Sequence, residues 1–342
     1  GSNDGQIHLT KNGGRSWDNL TENIDMPPWG TISNIETSRY YKGTAYISVD
    51  FHQMGDFDPY IYKTEDYGKS WKHISSNIPK SYSSFVHVVR EDHQTPGVLY
   101  AGTDKDNYVT IKMYENGVYV SVDDGAHWIR IKNNLPPAPV YWISLQEHFD
   151  DMIIGTYGRG VFILDDISPF RELAKANKEE VNFMPVQDAY RFQTIQSMKN
   201  DGTSLIRGQN PAYGANLDFF LPDTNAKEIS IAIQDMNGNE IRKLTPRKTT
   251  RGVNRVMWDL RYEKTKTAKL KVNPRGIDWV TYNKDGWRPL RTWDIDVNSG
   301  KLGPKAVPGN YKAILNVDGK EVTQSFTLLK DPNTAGTIKD IK

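Results

Sequence analysis

One eight-residue pattern occurs three times in this 342-residue chain, and it restricts the fold more than any other feature. The copies are Thr10-Lys11-Asn12-Gly13-Gly14-Arg15-Ser16-Trp17, Thr64-Glu65-Asp66-Tyr67-Gly68-Lys69-Ser70-Trp71 and Ser121-Val122-Asp123-Asp124-Gly125-Ala126-His127-Trp128. Their tryptophans stand 54 and 57 residues apart. Self-similarity at a period of about 50 residues marks a repeat architecture, and where strands fill the repeat it marks a propeller.

Each copy reads as a hairpin turn. Gly14, Gly68 and Gly125 supply the left-handed residue that a tight turn needs. Asn12, Asp66 and Asp123 can accept hydrogen bonds from backbone N–H groups two residues on. Trp17, Trp71 and Trp128 then lay a large ring against the blade. These nine residues are expected to be structural, so Asp66 and Asp123 are not catalytic candidates.

Alternating strands flank the turns. Gln6–Leu9, Tyr60–Lys63 and Val118–Ser121 precede the three copies. A fourth matching strand, Gly160–Leu164, runs on without a full motif; Thr44–Ser48, Val98–Gly102 and Met152–Gly155 lie upstream of the last three of these strands, and residues 32–37, 85–90 and 141–146 upstream again. A repeat is therefore four antiparallel strands, with the motif joining the third to the fourth. Residues 1–166 hold half a repeat, two whole ones and a three-stranded last one, which is fewer than a closed propeller needs. Further blades before Gly1 are expected as partners of these. The tail, 331–342, reads as the entry to a helical segment.

Composition agrees with an all-β chain. Nine Trp, 18 Tyr and 11 Phe with 27 Gly and 18 Pro favour short strands and turns. Lys and Arg total 43 against 42 Asp and Glu, so a nucleic-acid partner is not expected. No run of 18 apolar residues is long enough to span a membrane. The absence of Cys excludes disulfides, thiolate metal sites and a Cys nucleophile.

After the repeats, residues 167–200 read as a linker opening on a short helix, with Ser168 as N-cap and Pro169 at the first position. Residues 201–330 read as a β-sandwich with strands at 215–221, 228–235, 254–260, 309–317 and 323–329. The Pro308-Gly309-Asn310-Tyr311 entry suits an immunoglobulin-like or fibronectin-like module. A polar insertion at about 263–304 carries Trp279, Trp287 and Trp293.

The three motifs resemble Asp-boxes, the BNR repeats of sialidases, xyloglucanase-type glycoside hydrolases and sortilin-type propellers. The segment Gly155-Thr156-Tyr157-Gly158-Arg159-Gly160-Val161-Phe162-Ile163-Leu164-Asp165-Asp166 resembles the propeller end of large bacterial secreted proteins labelled sortilin-like or glycosyl-hydrolase-like. The resemblance covers most of the chain as the C-terminal portion of such a protein. It implies Asp-box blades followed by a sandwich, and a secreted or cell-envelope location. The motif is specific for the fold, not for an activity.

Propeller ligands usually meet the face opposite the motif hairpins. The loop carrying Asp50, His52, Asp56 and Asp58 is the richest there. Its carboxylates suit a sugar, a cation such as calcium, or acid/base work on a glycoside, so Asp50, Asp56 and Asp58 are the catalytic candidates. Asp104, Tyr108, Tyr157 and Arg159 lie in the next two loops, and Trp29, Tyr82, Tyr141 and Trp142 in the inter-blade connections. The bland alternatives are solvated turns, ion pairs and inter-blade packing. His8, His73, His87, His93, His127 and His148 have no ligand spacing and are assigned no chemistry. No cofactor is expected. Three functions stay open: a module binding a glycan or protein, a glycoside hydrolase with part of its site in other blades, and a subunit of an outer-membrane assembly.

Overall fold

The computed structural model describes residues 1–81, 84–104, 117–131, 134–136, 138–192, 211–264, 270–272, 275–276, 281–288 and 302–341. Tyr82, Tyr108, Trp279 and Trp293 lie outside the described residues. The chain forms two compact units, Gly1–Ala176 and Asn177–Lys342. It is nearly all β, as expected, with four-stranded sheets that are propeller blades.

In the first unit, β1 (His8–Leu9) pairs with β2 (Asp18–Asn19). The first full blade is a meander of β3 (Thr31–Thr37), β4 (Ala45–Asp50), β5 (Tyr60–Thr64) and β6 (Lys72–His73). The second is β7 (Val86–Glu91), β8 (Leu99–Thr103), β9 (Val118–Ser121) and β10 (Ile129–Arg130). The third has three described strands: β11 (Val140–Gln146), β12 (Asp151–Thr156) and β13 (Gly160–Leu164).

Alternation gives each sheet two apolar faces, and each face needs a neighbour. Tyr46, Ile61 and Ile74 of the first blade share a core with Leu99, Ala101, Tyr119 and Trp128 of the second. Val88, Tyr100 and Val118 on the opposite face of the second blade share another with Ile143, Met152 and Ile154 of the third. The first strands, β3, β7 and β11, lie beside one another.

The motif hairpins repeat one bond set. The Thr64 hydroxyl bonds Asp66 Oδ1 at 3.0 Å, and its oxygen accepts the Gly68 N–H at 2.9 Å. Asp66 accepts the Ser70 N–H at 2.9 Å and the Ser70 hydroxyl at 2.7 Å. Thr10, Asn12, Gly14 and Ser16 repeat the pattern, as do Ser121, Asp123, Gly125 and His127. The carboxylate thus reaches the N–H four residues on, rather than two, because it straps the whole turn. Tyr67 (φ 63°) and Gly68 (φ 78°) are consecutive left-handed residues, which matches the twist of a tight hairpin.

Helix α1 (Ser168–Lys175) closes the unit. Ser168 is helical rather than the cap, and Asp166 accepts its N–H at 3.1 Å. Arg171 anchors the helix to two blades, bonding Asp92 at 2.8 Å and Asp150 at 2.9 Å.

The second unit is a β-sandwich. One sheet orders β14 (Asn182–Phe183), β16 (Ala215–Leu221) and β19 (Gly252–Trp258). The other runs β15 (Ala189–Arg191), β21 (Lys320–Lys330), β20 (Gly309–Val317), β17 (Ile229–Asp235) and β18 (Glu240–Leu244), with β15 parallel to β21. Both sheets feed one core around Trp258, Tyr311 and Phe326. Residues 182–191 therefore pair within the sandwich sheets. Of the three tryptophans in the 263–304 segment only Trp287 is described, with Lys271 Nζ 4.5 Å from its ring centroid. No helix among the described residues is long and apolar enough to cross a membrane.

Candidate functional site

The site is built from a defect that every blade repeats. The pairing of each first strand slips by one residue, leaving Ser33, His87 and Tyr141 as the extra residue of a β-bulge. A bulge turns a side chain out of the regular alternation and is favoured beside functional sites. The three bulges are 54 residues apart, the spacing of the first two motifs. One step beyond each bulge, at the end of the second strand, stand Asp50, Asp104 and Tyr157. Thr31 pairs with Asp50, the Phe85 carbonyl accepts the Asp104 N–H at 3.0 Å, and the Pro139 carbonyl accepts the Tyr157 N–H at 3.0 Å.

These positions assemble a row of rings across three blades. His52 stacks on Phe85 at 4.8 Å, and Phe85 meets His87 edge-on at 5.1 Å. His87 stacks on Tyr141 at 3.9 Å, and Tyr141 reaches Tyr157 at 5.5 Å. Phe85 is buried, whereas Tyr141 and Tyr157 are exposed, so one end of the row presents open ring faces.

Two carboxylates line the row, each holding an imidazole. Asp50 is buried and accepts the His52 backbone N–H at 2.8 Å, with His52 Nδ1 2.7 Å from Oδ2. His87 Nε2 lies 2.9 Å from Asp104 Oδ2. An ionised carboxylate only accepts, so the facing ring nitrogens carry the protons. Burial pushes the Tyr141 phenol up, and the charges of Asp104 and Asp50 add to the shift. The arrangement offers hydrogen-bond acceptors beside aromatic faces.

The remaining candidates distribute differently. Asp56 accepts the Tyr60 hydroxyl at 2.7 Å and the Asp58 N–H at 3.0 Å, while Asp58 pairs with Lys80. Burial, then Asp56, raises the Tyr60 phenol. Both carboxylates are thus engaged in holding the loop. Trp142 lies with the Arg90 guanidinium 4.3 Å from its ring centroid. Arg159 is exposed in the turn between β12 and β13. Trp29 is exposed with φ 69°, a strained backbone for a bulky residue, and lines a cavity of about 430 Å³ with Asp4, Gln6 and Glu22.

The sequence places Tyr141 on the loop face as an inter-blade aromatic but does not join it to His87 and Phe85. The signal that finds them is the 54-residue spacing of Ser33, His87 and Tyr141. Among the described residues, no group of three or more His, Asp or Glu side chains is placed to hold a metal ion.

No known family model matches the chain. No curated protein matches it either. Among solved structures, it is similar to the GH74 xyloglucanase from Xanthomonas campestris, at 19% identity and a TM-score of 0.38. The match covers 48% of this chain and 24% of that enzyme's.

Proposed function

We propose that this chain is a binding module of a secreted or cell-envelope protein, with Asp-box blades whose loop face takes a glycan. The immunoglobulin-like or fibronectin-like sandwich serves as spacer. The observation that carries this reading is the continuous ring row from His52 to Tyr157 with Asp50 and Asp104 beside it. Sugar rings stack their apolar faces on aromatics while their hydroxyls donate to carboxylates. Tyr141 and Tyr157 supply the platform and the two Asp–His pairs the acceptors.

Calorimetric titration with a neutral β-glucan, xyloglucan and a sialoside tests the reading. Tyr157→Ala and Asp104→Asn are expected to weaken binding of the accepted glycan by about tenfold or more, ~1.4 kcal/mol. Arg15→Ala, in the motif turn at the opposite end of the strands, leaves binding unchanged. No binding to any of the three sinks the glycan reading.

Asp50 and Asp104, the two carboxylates that line the ring row, also support a second reading, glycoside hydrolysis, which needs two carboxyl groups across one sugar. Release of reducing ends by the wild-type chain, lost in Asp50→Asn or Asp104→Asn, selects that reading over binding alone.

A further inference from the structure

Blade-on-blade packing in the first unit follows one register. Pairing makes Asn34, Ser48 and Ile61 equivalent to Val88, Gly102 and Val118, and to Trp142, Gly155 and Val161. One step along, Tyr46 corresponds to Tyr100 and Ile153, and Val120 to Ile163. In the first two blades this face is covered by the next blade's inner strand. Ser48 donates to the His87 carbonyl at 3.2 Å, and Asn34 accepts the Val89 N–H at 3.1 Å. A Cβ on Gly102 would stand 2.6 Å from Val140 Cγ1. Val88, Tyr100 and Val118 are consequently sealed from solvent.

Among the described residues, the third blade carries the same face open. Val161 is 67% exposed, Ile163 60% and Trp142 54%, where their counterparts are buried. The small residue at the centre is kept, but among the described residues a Cβ on Gly155 would meet only Trp142 of its own sheet, at 3.5 Å. Adjacent exposed Val, Ile and Trp side chains on one sheet face mark an interaction surface rather than scattered apolar residues.

We propose that the β11–β13 face docks a further four-stranded β-blade from outside residues 1–342, whose inner strand crosses Gly155 as β11 crosses Gly102. The occupant is not a second copy of these residues. A second copy would have to present the complementary face of its first blade, and there Ile47, Val49 and Tyr62 are already packed under Ile7 and Ile24. The proposal stands on inter-blade register alone and is independent of any glycan.

Hydroxyl-radical footprinting tests it on two samples: the polypeptide isolated from its natural source and residues 1–342. Trp142, Val161 and Ile163 are expected to label in residues 1–342 and to lose that labelling in the natural polypeptide. Equal labelling in both overturns the proposal. Protection in residues 1–342 that grows with concentration, alongside a doubled mass by light scattering, also overturns it, because the occupant is then a second copy. Gly155→Leu provides the second readout. It is expected to leave the melting temperature of residues 1–342 unchanged and to restore labelling of Val161 and Ile163 in the natural polypeptide. A melting temperature lowered in residues 1–342 itself, or protection kept in the natural polypeptide, counts against an occupant at Gly155.

Discussion

The third motif hairpin and the first are tied by the same hydrogen bonds, yet Trp128 is 5% exposed and Trp17 57%. The difference comes from the preceding blade. Trp128 donates its indole N–H to the Ile74 carbonyl at 2.7 Å, and Asn77 accepts its backbone N–H at 3.1 Å. Asn23, 54 residues before Asn77, ties the second hairpin by a different bond: it donates to the Gly68 carbonyl at 2.8 Å, and the Trp71 indole donates to that same carbonyl within its own turn, at 3.2 Å. No described segment does this for the first hairpin. A repeat motif therefore specifies a turn by itself, but its contribution to stability is set by the blade that comes before it.

The ion pairs extend the contrast and carry the largest expected effect. Arg171 is buried between Asp92 and Asp150, whereas Lys11 and Asp18 form an exposed pair at 2.9 Å on the first hairpin. Arg171→Ala leaves the buried Asp92 carboxylate without its cation and is expected to cost about 3–5 kcal/mol. Lys11→Ala is expected to cost at most ~1 kcal/mol. Urea unfolding of the two variants checks this, and equal midpoints would break the comparison.

The tryptophans come next. Trp128→Ala empties a filled inter-blade site, with an expected loss of about 3–5 kcal/mol. Trp17→Ala is expected to fall within about 0.5 kcal/mol of wild type. A large loss at Trp17 would show that the first hairpin has a neighbour after all. The glycines follow. Gly102→Ala drives a Cβ into Val140 and is expected to cost ~1–3 kcal/mol, while Gly155→Ala has room and leaves the midpoint unchanged.

The same contrast explains what could be read before the structure. Blades were legible because the turn chemistry of Asn12, Asp66 and Asp123 is local and the strands around it alternate. The row from His52 to Tyr157 was only half legible, because the bulges at Ser33, His87 and Tyr141 turn side chains in a way that period-2 alternation does not encode. Asp50, His52, Asp104 and Tyr157 were found as loop residues. Metal-ligand spacing does not single out His87, because its partner Asp104 lies 17 residues away at the next strand's end. Short strands such as β14 and β15 are indistinguishable from linker in the sequence, since two or three residues carry too little alternation to register.

Acid separates the hairpins by the side chain at the strap position, Asn12 in the first against Asp66 and Asp123 in the others. The Ser70 hydroxyl, then its backbone N–H, holds the Asp66 carboxyl down at about 2. At Asp123, burial pushes the carboxyl up, but the His127 backbone and ring bonds outweigh it and the net shift is downward. The first hairpin has Asn12 in this place, so its strap carries no carboxyl. A carboxyl depressed on folding contributes stability above its unfolded value, near 3.8, and loses that contribution as pH falls through its folded value. Between pH 4 and 2 the second and third turns are therefore expected to loosen while the Thr10–Trp17 turn keeps its amide shifts. Carboxyl-detected NMR should find Asp66 titrating at about 2, and Ser70→Ala should return it toward the ordinary carboxylate range. Asn12→Asp should make the first hairpin acid-sensitive like the others, because Ser16 already stands where Ser70 does. An Asp66 that titrates at the ordinary value, or an Asn12→Asp hairpin indifferent to acid, would mean that the strap bonds do not hold these turns in solution.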